Sequence, residues 1–492
     1  MKKISNRIAL ALGALLLSGS AFAQVKIAYI DPLSGPFANV GEAGLKGFRE
    51  AAEILVNQKG GIMGQKLEFT GFDNKGSPQE TQLQLKAAID QGFRFVTLGN
   101  GSGAAHSLID AVNKWNERNP DKTVLFFNYA AVDPTLTNEK CSFWHFRFDA
   151  NTEMKIEAIT NFLVNDKTLK KVFIIGQDYA HGHQVAKAAK AMLAKKRKDV
   201  QIVGEDLHPI GKVKDFAPYI AKIKSSGADT VITGNWGNDL SLLVKAAKDA
   251  GLKARFITYY AGGLGTPQAM GASGEGKVIQ LTEWHMNVPT KSTEKFALDF
   301  NKKYPGIYFY YMRVNTMVEM VAKAMNTAKS TDPKQVALAL ENMRHPAENG
   351  QVWMRKSDHQ LIQPLFISIF SKQDGKAVKH DSEGTGFGWK TLASISEQES
   401  ELPTSCVMAR PAGCSIIAAA TSQEAMMPYC GEVEVCIMNA SLKRVMSTLR
   451  FWPFCTWIIE ACDSAESSLC VDCVAKVTAF CARSGLPEEI AW

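Results

Sequence analysis

The chain has 492 residues, of which 46% are hydrophobic and 21% charged, as is ordinary for a globular protein with full cores. This length suggests two or three domains, or one large two-lobed protein. The net charge of +7 is spread along the chain, and no arginine-rich stripe carries interleaved aromatic residues, which argues against binding of nucleic acid.

The N-terminus has the pattern of a secretory signal peptide. Lys2 and two further basic residues precede a short apolar run at 8–17, and the small-residue sequence AFA ends at Ala23. The apolar run is too short to span a bilayer, and no later segment reaches the roughly 18 apolar residues that a membrane helix needs. We therefore expect cleavage after Ala23 and export of the mature chain to an oxidising compartment.

From residue 25 onward, short apolar runs alternate with stretches that have helical periodicity. The predicted strands are VKIAYI, LEFTGF, FRFVTLG and TVLFFNYA, followed after Cys141 by KKVFIIG, VQIVGE, ADTVIT and ARFITYY. The predicted helices cover 41–56, 79–91, 104–116, 156–164, 183–195, 217–225 and 240–250. This alternation is typical of βαβ units with parallel sheets. Two such series predict an α/β protein with two doubly wound parallel-sheet lobes.

Polar and aromatic residues follow the predicted strands. Ligands of open parallel sheets bind beyond the carboxyl ends of the strands, so these positions are candidate contacts. They are Ser102 after the third strand, Ala131 after the fourth, and Tyr179, Asn235, Trp236 and Tyr260 in the second series. The aromatic members could instead be core residues, but their polar neighbours favour contact with a ligand.

Several longer stretches carry a family resemblance. They include residues 26–64, which begin KIAYIDPLSGPF, together with DPTLT, FRFDANT, GQDYAHG, TGNWGNDL, DHQLIQPLF and LPTSCVMARP. To about residue 412 the chain resembles the periplasmic solute-binding proteins of branched-chain amino acid ABC transporters. The resemblance implies the type I periplasmic binding fold, in which two lobes joined by a multi-strand hinge close on a small solute. It also implies a monomer in the periplasm that delivers its ligand to an inner-membrane ABC permease.

The resemblance further implies how the chain is divided. The first lobe is expected at 24–145 and 278–355, the second at 146–277 and 356–400, and a C-terminal closing segment at 401–412. Residues 1–23 are the signal peptide, and 413–492 form a Cys-rich tail of unknown or no regular fold.

Site residues carry over from the family at a few positions. Ser102, with Ala131 and Val132, matches the segment that holds a ligand carboxylate through hydroxyl and backbone N–H groups. Val132 lies at the position where the amino-acid-binding members of the family share a threonine. The sequence YYAGGLGTP places Gly262 nearest to the acidic residue that pairs with a ligand ammonium in leucine-type members.

Two classes of ligand are therefore kept as alternatives. One is a branched-chain amino acid or related acid, with Asp178 or Asp239 substituting for the missing anion. The other is an aromatic or aliphatic carboxylic acid without an amino group, because a buried ammonium with no anionic partner is costly.

Other motifs favour binding over chemistry. Residues 99–104 fit G-x-G-x-x-A, but no acidic residue ends the next strand, so a carboxylate cradle is favoured over a dinucleotide site or a purely structural turn. His181 and His183 are interpreted as solvated loop residues, not as metal ligands. No G-x-S-x-G elbow is present. We expect no enzyme activity, metal or cofactor, and keep a ligand sensor acting on a membrane regulator as an alternative.

The cysteines fall into two groups. Cys141 and Cys406 are the pair within the family-like region, and in an exported chain we expect them to form a disulfide. The other eight cysteines all lie in the tail, 413–492. A small disulfide or metal module is one interpretation of that tail, and read-through or frame-shifted coding sequence is the favoured one.

Overall fold

A computed structural model describes residues 24–288 and 291–411, the side chains of 291 and 292 excepted. The predicted signal peptide and the Cys-rich tail lie outside the described residues. The strands are β1 (Gln24–Asp31), β2 (Lys66–Asp73), β3 (Phe95–Leu98), β4 (Leu125–Asn128), β5 (His145–Arg147), β6 (Lys171–Gln177), β7 (Gln201–His208), β8 (Thr230–Thr233), β9 (Arg255–Thr258), β10 (Val278–Thr282), β11 (Arg344–Ala347), β12 (Gly350–Met354), β13 (Leu361–Ile362), β14 (Leu365–Lys372) and β15 (Phe387–Ile395).

The main helices follow the predicted positions closely wherever a prediction was made. They are α1 (Ala38–Ala51), α2 (Pro78–Asp90), α3 (Ser102–Arg118), α4 (Thr152–Phe162), α5 (Ala180–Lys196), α6 (Ala217–Ser225), α7 (Gly237–Asp249), α8 (Thr266–Met270), α9 (Lys291–Lys303), α10 (Met312–Ala328), α11 (Pro333–Leu340) and α12 (Glu397–Ser400). Among the described residues, no helix is both long and apolar enough to cross a membrane.

The first sheet contains five parallel strands in the order β2-β1-β3-β4-β5. Every residue of β3 and β4 is buried, as expected for central strands that helices cover on both faces. Helices α2 and α3 pack together over this sheet, and α1 packs against α10. The sheet therefore forms a doubly wound lobe with its strand ends, and the loops that follow them, along one edge.

The second sheet contains seven strands in the order β15-β14-β10-β9-β8-β6-β7. Strands β6 to β10 are parallel, whereas β14 and β15 add an antiparallel edge. A small antiparallel sheet, β11-β12-β13, is separate from both. The predicted pair of doubly wound lobes in a type I periplasmic binding fold is confirmed, and the antiparallel edge and small sheet are additions that the pattern did not predict.

The lobe boundary expected at residue 278 does not match the sheet to which the strand starting there belongs. Residues 278–355 were expected in the first lobe, but their first strand, β10, pairs with β9 and β14 in the second sheet. All five residues of β10, the sequence VIQLT, are buried, so the strand completes the second core before the chain returns to the first. The crossing between lobes therefore comes after Thr282.

Between β1 and β15, the chain passes into or out of the second sheet at three places. The first crossing leads from β5 to α4, the second leaves β10, and the third joins β13 to β14. The first and third lie side by side, because Arg147 N donates to His359 O at 2.9 Å and Gln360 Nε2 donates to Asp149 O at 2.8 Å. These neighbouring segments form the multi-strand hinge that the resemblance implied.

The predicted disulfide between Cys141 and Cys406 is present, with their Cα atoms 5.8 Å apart. Beside it, Thr404 Oγ1 donates to Thr137 O at 3.1 Å, and Ser405 N donates to Asn138 Oδ1 at 2.9 Å. The bridge therefore fastens the C-terminal segment to the connection between β4 and β5 of the first sheet.

Candidate ligand-binding site

A cavity lies between the carboxyl ends of the two sheets, where the fold predicts a ligand. Counted with the open solvent at its mouth, the empty space measures about 490 Å³. The residues that line it come from α1, from the segments after β3, β4, β6, β8 and β9, and from the segment before α10. They are Val40, Gly99, Asn100, Gly101, Ser102, Ala130, Ala131, Val132, Tyr179, His181, Trp236, Gly237, Tyr260, Gly263, Leu264, Tyr310 and Tyr311.

The first-lobe wall is the predicted carboxylate cradle, residues 99–104. Gly101 has a φ of 106°, a left-handed conformation that favours glycine, and this turns the chain directly into α3 at Ser102. The first-turn N–H groups of a helix have no acceptor within it, and the helix dipole makes this end positive. Ser102 Oγ also accepts a bond from Asp133 N at 3.3 Å. The cradle therefore offers N–H groups and one hydroxyl to an anion.

The segment after β4 was expected to offer the backbone N–H groups of both Ala131 and Val132 to a ligand, and the structure differs for Ala131. Ala131 was expected to supply a backbone N–H to the ligand, but this group donates to Asn128 Oδ1 at 2.8 Å. No acceptor for Val132 N lies among the described residues. Ala131 therefore shapes the cavity wall, and Val132 is the member of the pair whose N–H can meet a ligand.

Aromatic side chains form the rest of the cavity. Trp236 Nε1 donates to Tyr179 Oη at 2.8 Å, and the Trp236 ring lies 4.3 Å from the ring of Phe37, a first-lobe residue. Tyr260 and Tyr310 complete the wall, and the Tyr310 hydroxyl has no partner among the described residues. Trp236, the aromatic residue after β8, thus lines the cavity and also contacts the first lobe.

Two of the expected contacts lie outside the cavity lining. Asn235 is fully buried in the second lobe, with its side-chain amide 2.8 Å from His208 Nε2. Gly262 N donates to Gln280 Oε1 at 2.7 Å, and a Cβ atom at position 262 would lie 2.7 Å from that oxygen. Gln280 therefore occupies the space that an acidic side chain at 262 would need.

The two aspartates considered as substitutes also lie away from the cavity lining. Asp239 Oδ2 accepts bonds from Gln177 Nε2 and Gly211 N, each at 2.8 Å. Asp178 is exposed and pairs with His183 at 2.8 Å. No aspartate, glutamate, lysine or arginine lines the cavity among the described residues.

His181 was expected to be a solvated loop residue and is instead buried at the cavity. Its ring lies 3.0 Å from Thr152 Oγ1 and 3.2 Å from Gly234 O. Burial, assisted by the nearby positive charge of Lys155, lowers the pKa of His181 to about 4, so the ring is neutral at neutral pH. His183, by contrast, is exposed as expected.

Charged side chains lie directly behind the aromatic wall. Lys155 Nζ lies 4.9 Å from the centre of the Tyr260 ring and 2.8 Å from Asp149 Oδ2. Arg313 lies 5.3 Å from the centre of the Tyr311 ring and pairs with Asp149 and Glu283. Both rings therefore interact with a cation that belongs to the protein itself.

Tyr310 and Tyr311 were missed because they come from a distant part of the chain. They follow α9 and enter the site only because the second crossing returns the chain to the first lobe. The aromatic cluster YFYYM was a signal in the sequence, but it follows no predicted strand.

Similarity to known proteins extends over both lobes. The profile of the family described as periplasmic binding protein matches residues 24–375. The Leu/Ile/Val-binding protein homolog 4 of Brucella abortus (strain 2308) is 33% identical over 424 residues, covering 83% of this chain and 99% of that protein. A crystal structure of the leucine-, isoleucine-, valine-, threonine-, and alanine-binding protein from Brucella ovis in a closed conformation is 32% identical. It covers 79% of this chain and 100% of that one, with a TM-score of 0.70.

A more distant solved structure is similar in fold alone. The solute-binding protein of an ABC transporter from R. palustris, in complex with 4-hydroxybenzoate, is 19% identical with a TM-score of 0.65. That likeness covers 77% of this chain and 98% of that one.

Proposed function

Because the chain belongs to the periplasmic binding protein family, we propose that it captures a small carboxylate-bearing solute between its lobes and delivers it to an inner-membrane ABC permease. Export would follow from the signal peptide predicted at 1–23. The observation that carries this proposal is the cavity between the two sheets, with the first turn of α3 at its first-lobe wall. Closure on a solute presents a different surface to a permease, and the ligand supplies the differential binding energy.

A carboxylate suits the first-lobe wall for electrostatic reasons. The cradle combines the N–H groups of the first turn of α3 with Ser102 Oγ, and the helix dipole favours negative charge there. Beyond it, the rings of Tyr179, Trp236 and Tyr260 suit an apolar or flat ligand body. The names of the Brucella relatives support a branched-chain amino acid as one occupant.

A specific observation favours a second candidate, an acid without an amino group. The cavity has no anionic side chain among its lining residues, and position 262, crowded by Gln280 and Tyr310, carries only glycine. A ligand ammonium would lose its water without gaining a charged partner, which is costly in a desolvated site. The 4-hydroxybenzoate complex of the R. palustris protein shows that this fold accepts such an acid in that protein.

Matched pairs of ligands test this choice. We expect 4-methylpentanoate and 3-phenylpropanoate to raise the melting temperature of the exported protein more than leucine and phenylalanine do. A ligand at about 100 times its Kd adds about 2.7 kcal/mol of stability, which a thermal-shift assay detects. Stabilisation by the amino acids alone would exclude the second candidate, and stabilisation by no member of the panel would contradict carboxylate capture itself.

Ser102→Ala tests the cradle. Since a hydrogen bond to a charged group contributes about 1.5–3 kcal/mol, we expect the Kd for the acid that binds best to increase about tenfold or more. Ser107→Ala is the matched control, because Ser107 lies on the same helix and its Oγ donates to Pro78 O at 2.9 Å, away from the cavity. Equal effects of the two substitutions, measured by calorimetry, would argue against Ser102 as a ligand contact.

A further inference from the structure

The carboxyl group of Asp31 lies directly beneath the carboxylate cradle. Asp31 ends β1 and is fully buried. Its Oδ1 accepts a bond from Asn100 N at 2.9 Å, and its Oδ2 accepts one from Gly99 N at 3.2 Å. Both donors belong to the cradle, and Asn100 lines the cavity. A charge on Asp31 would therefore act on any anion held at the first turn of α3.

A row of oxygen atoms leads away from this carboxyl group. Asp31 Oδ2 lies 2.8 Å from Tyr129 Oη, which lies 2.9 Å from Tyr29 Oη, which lies 2.8 Å from the carbonyl oxygen of Gly41. Asn100 Nδ2 also donates to Tyr129 Oη at 2.8 Å. Each of the three oxygen–oxygen contacts needs one proton to be a hydrogen bond.

Counting the protons assigns the protonation state of Asp31. The carbonyl of Gly41 has no proton, so Tyr29 donates to it and Tyr129 donates to Tyr29. No phenolic proton then remains for the contact between Tyr129 and Asp31. All three contacts are satisfied only when Asp31 is a neutral carboxylic acid that donates to Tyr129, whose oxygen then accepts from both Asp31 and Asn100.

The groups around Asp31 favour the same state. Burial raises the pKa of Asp31 to about 7, against the bonds from Asn100, Tyr129 and Gly99 that lower it. The titratable groups facing it from β1, β4 and the segment before α10 are the phenols of Tyr29, Tyr129 and Tyr311, whose pKa values burial raises.

The remaining neighbours supply no charge that would favour the ionised form. On β2 the register partner is Asp73, whose carboxylate is held by Leu33 N at 2.8 Å and Ser34 Oγ at 2.5 Å. From α1, Gly44 faces the two phenols, and the carbonyl oxygen of Gly41 accepts from Tyr29. The groups that bond the Asp31 carboxyl among the described residues are all uncharged.

We propose that Asp31 is a positioning residue that carries a proton beneath the cradle, and that binding of a ligand carboxylate is coupled to retention of this proton. The proposal rests on the proposed function, because it places the ligand carboxylate at the cradle. A neutral Asp31 orients the N–H groups of Gly99 and Asn100 without repelling an anion, whereas an ionised Asp31 would place a like charge nearby. A bound anion therefore favours the protonated form, and affinity falls as the pH rises through the titration of Asp31.

The first experiment measures binding of 3-phenylpropanoate to the intact exported chain by calorimetry. The ligand itself stays ionised, because carboxylic acids of this kind titrate near pH 4 to 5. From about pH 6 to about pH 8.5 we expect the Kd to increase, by at most about thirtyfold, since one coupled proton gives tenfold per pH unit above the free titration midpoint. Near pH 7.5 we expect proton uptake on binding, seen as a heat that depends on the buffer. A pH-independent Kd without proton uptake would overturn the proposal.

Asp31→Asn separates positioning from packing. The asparagine amide donates to Tyr129, and its oxygen, at the Oδ1 position, accepts from Asn100 N and lies 3.4 Å from Gly99 N. We therefore expect the affinity of wild type at pH 6 at every pH. Glu383→Gln is the matched control, because burial raises the pKa of Glu383 to about 7 while Glu383 accepts bonds from Gly265 N and Gln268 N. This control should keep the pH dependence. Loss of the pH dependence in Glu383→Gln, or weak binding by Asp31→Asn at every pH, would overturn the proposal.

Infrared spectroscopy of the free protein distinguishes failure of the proposed function from failure of the proton assignment to Asp31. We expect protonated-carboxyl absorption that disappears near pH 7 in wild type; the Asp31 band is the part that is missing in Asp31→Asn and kept in Glu383→Gln, since Glu383 titrates in the same range. If this band is found but no acid of the panel binds, the proposed function has failed and the proton coupling fails with it. If the acids bind but the band is not found, only the proton on Asp31 is contradicted.

Discussion

Replacing Arg313 by methionine is expected to lower the free energy of unfolding by about 3–5 kcal/mol, the usual cost of breaking a buried ion pair from one side. Arg313 lies on α10 and is fully buried. Its guanidinium lies 2.7 Å from Asp149 Oδ2 and 2.5 Å from Glu283 Oε2. These two carboxylates lie on the first and second crossings, so one side chain fastens both hinge segments to the first lobe.

The loss of stability caused by Arg313→Met should depend on pH. Burial would raise the pKa of Glu283, but the charge and hydrogen bond of Arg313, together with the charge of Lys155, outweigh burial and lower it. Without the guanidinium, the buried Glu283 is stabilised by taking up a proton, which becomes easier as the pH falls. The difference in stability between wild type and Arg313→Met should therefore be larger near pH 8 than near pH 5. Asp149 keeps Lys155 as a partner at 2.8 Å, so Glu283 accounts for most of this dependence.

Urea denaturation followed by circular dichroism measures the effect. Lys295→Met is the matched control, since Lys295 pairs with Asp299 on an exposed helix face and such pairs contribute about 1 kcal/mol or less. Arg313→Lys should fall between the two, because it keeps the charge but not the fork that meets both oxygens of Glu283. A loss below about 1 kcal/mol in Arg313→Met would show that water or rearrangement compensates both carboxylates.

Trp236→Ala is expected to weaken binding of 3-phenylpropanoate by about 2–4 kcal/mol, or about 30- to 1000-fold in Kd. The indole forms part of the cavity wall, contacts Phe37 across the cleft and donates to Tyr179 Oη. Its removal opens the wall to water and removes a contact that favours the closed arrangement of the lobes. Trp236→Phe keeps a ring against Phe37 and should lose only about fivefold, the value of one hydrogen bond.

Trp115→Ala is the control for the loss of an indole. Trp115 Nε1 donates to Lys122 O at 2.8 Å, the same distance as the bond made by Trp236, and the residue lies near the far end of α3. We expect Trp115→Ala to reduce stability but to leave the Kd unchanged. If Trp236→Ala behaved in the same way, the aromatic residue after β8 would be a core residue, as the alternative interpretation held.

Local sequence was sufficient to predict the elements and the edge at which the cavity lies. Strands β1 to β4 and β6 to β9 were predicted from apolar runs. In the central strands β3, β4, β6 and β8, burial on both faces requires apolar residues at successive positions. Since parallel strands end at the same edge, the residues after them could be named without coordinates. The same reasoning placed Ser102, Tyr179, Trp236 and Tyr260 at the cavity, and the pair of cysteines predicted the disulfide.

The tertiary structure decided which of the residues after the strands face the cavity. It also decided the protonation state of the side chains near it. Asn235 turns into the second core while Trp236 beside it lines the site, and Gln280, a strand residue distant in sequence, accepts from Gly262 N and crowds that position. Tyr310 and Tyr311 arrive through a chain crossing that no local pattern describes. The proton assigned to Asp31 depends on oxygen atoms brought together from three segments, because hydrogen bonding and desolvation are set by spatial neighbours and not by sequence neighbours.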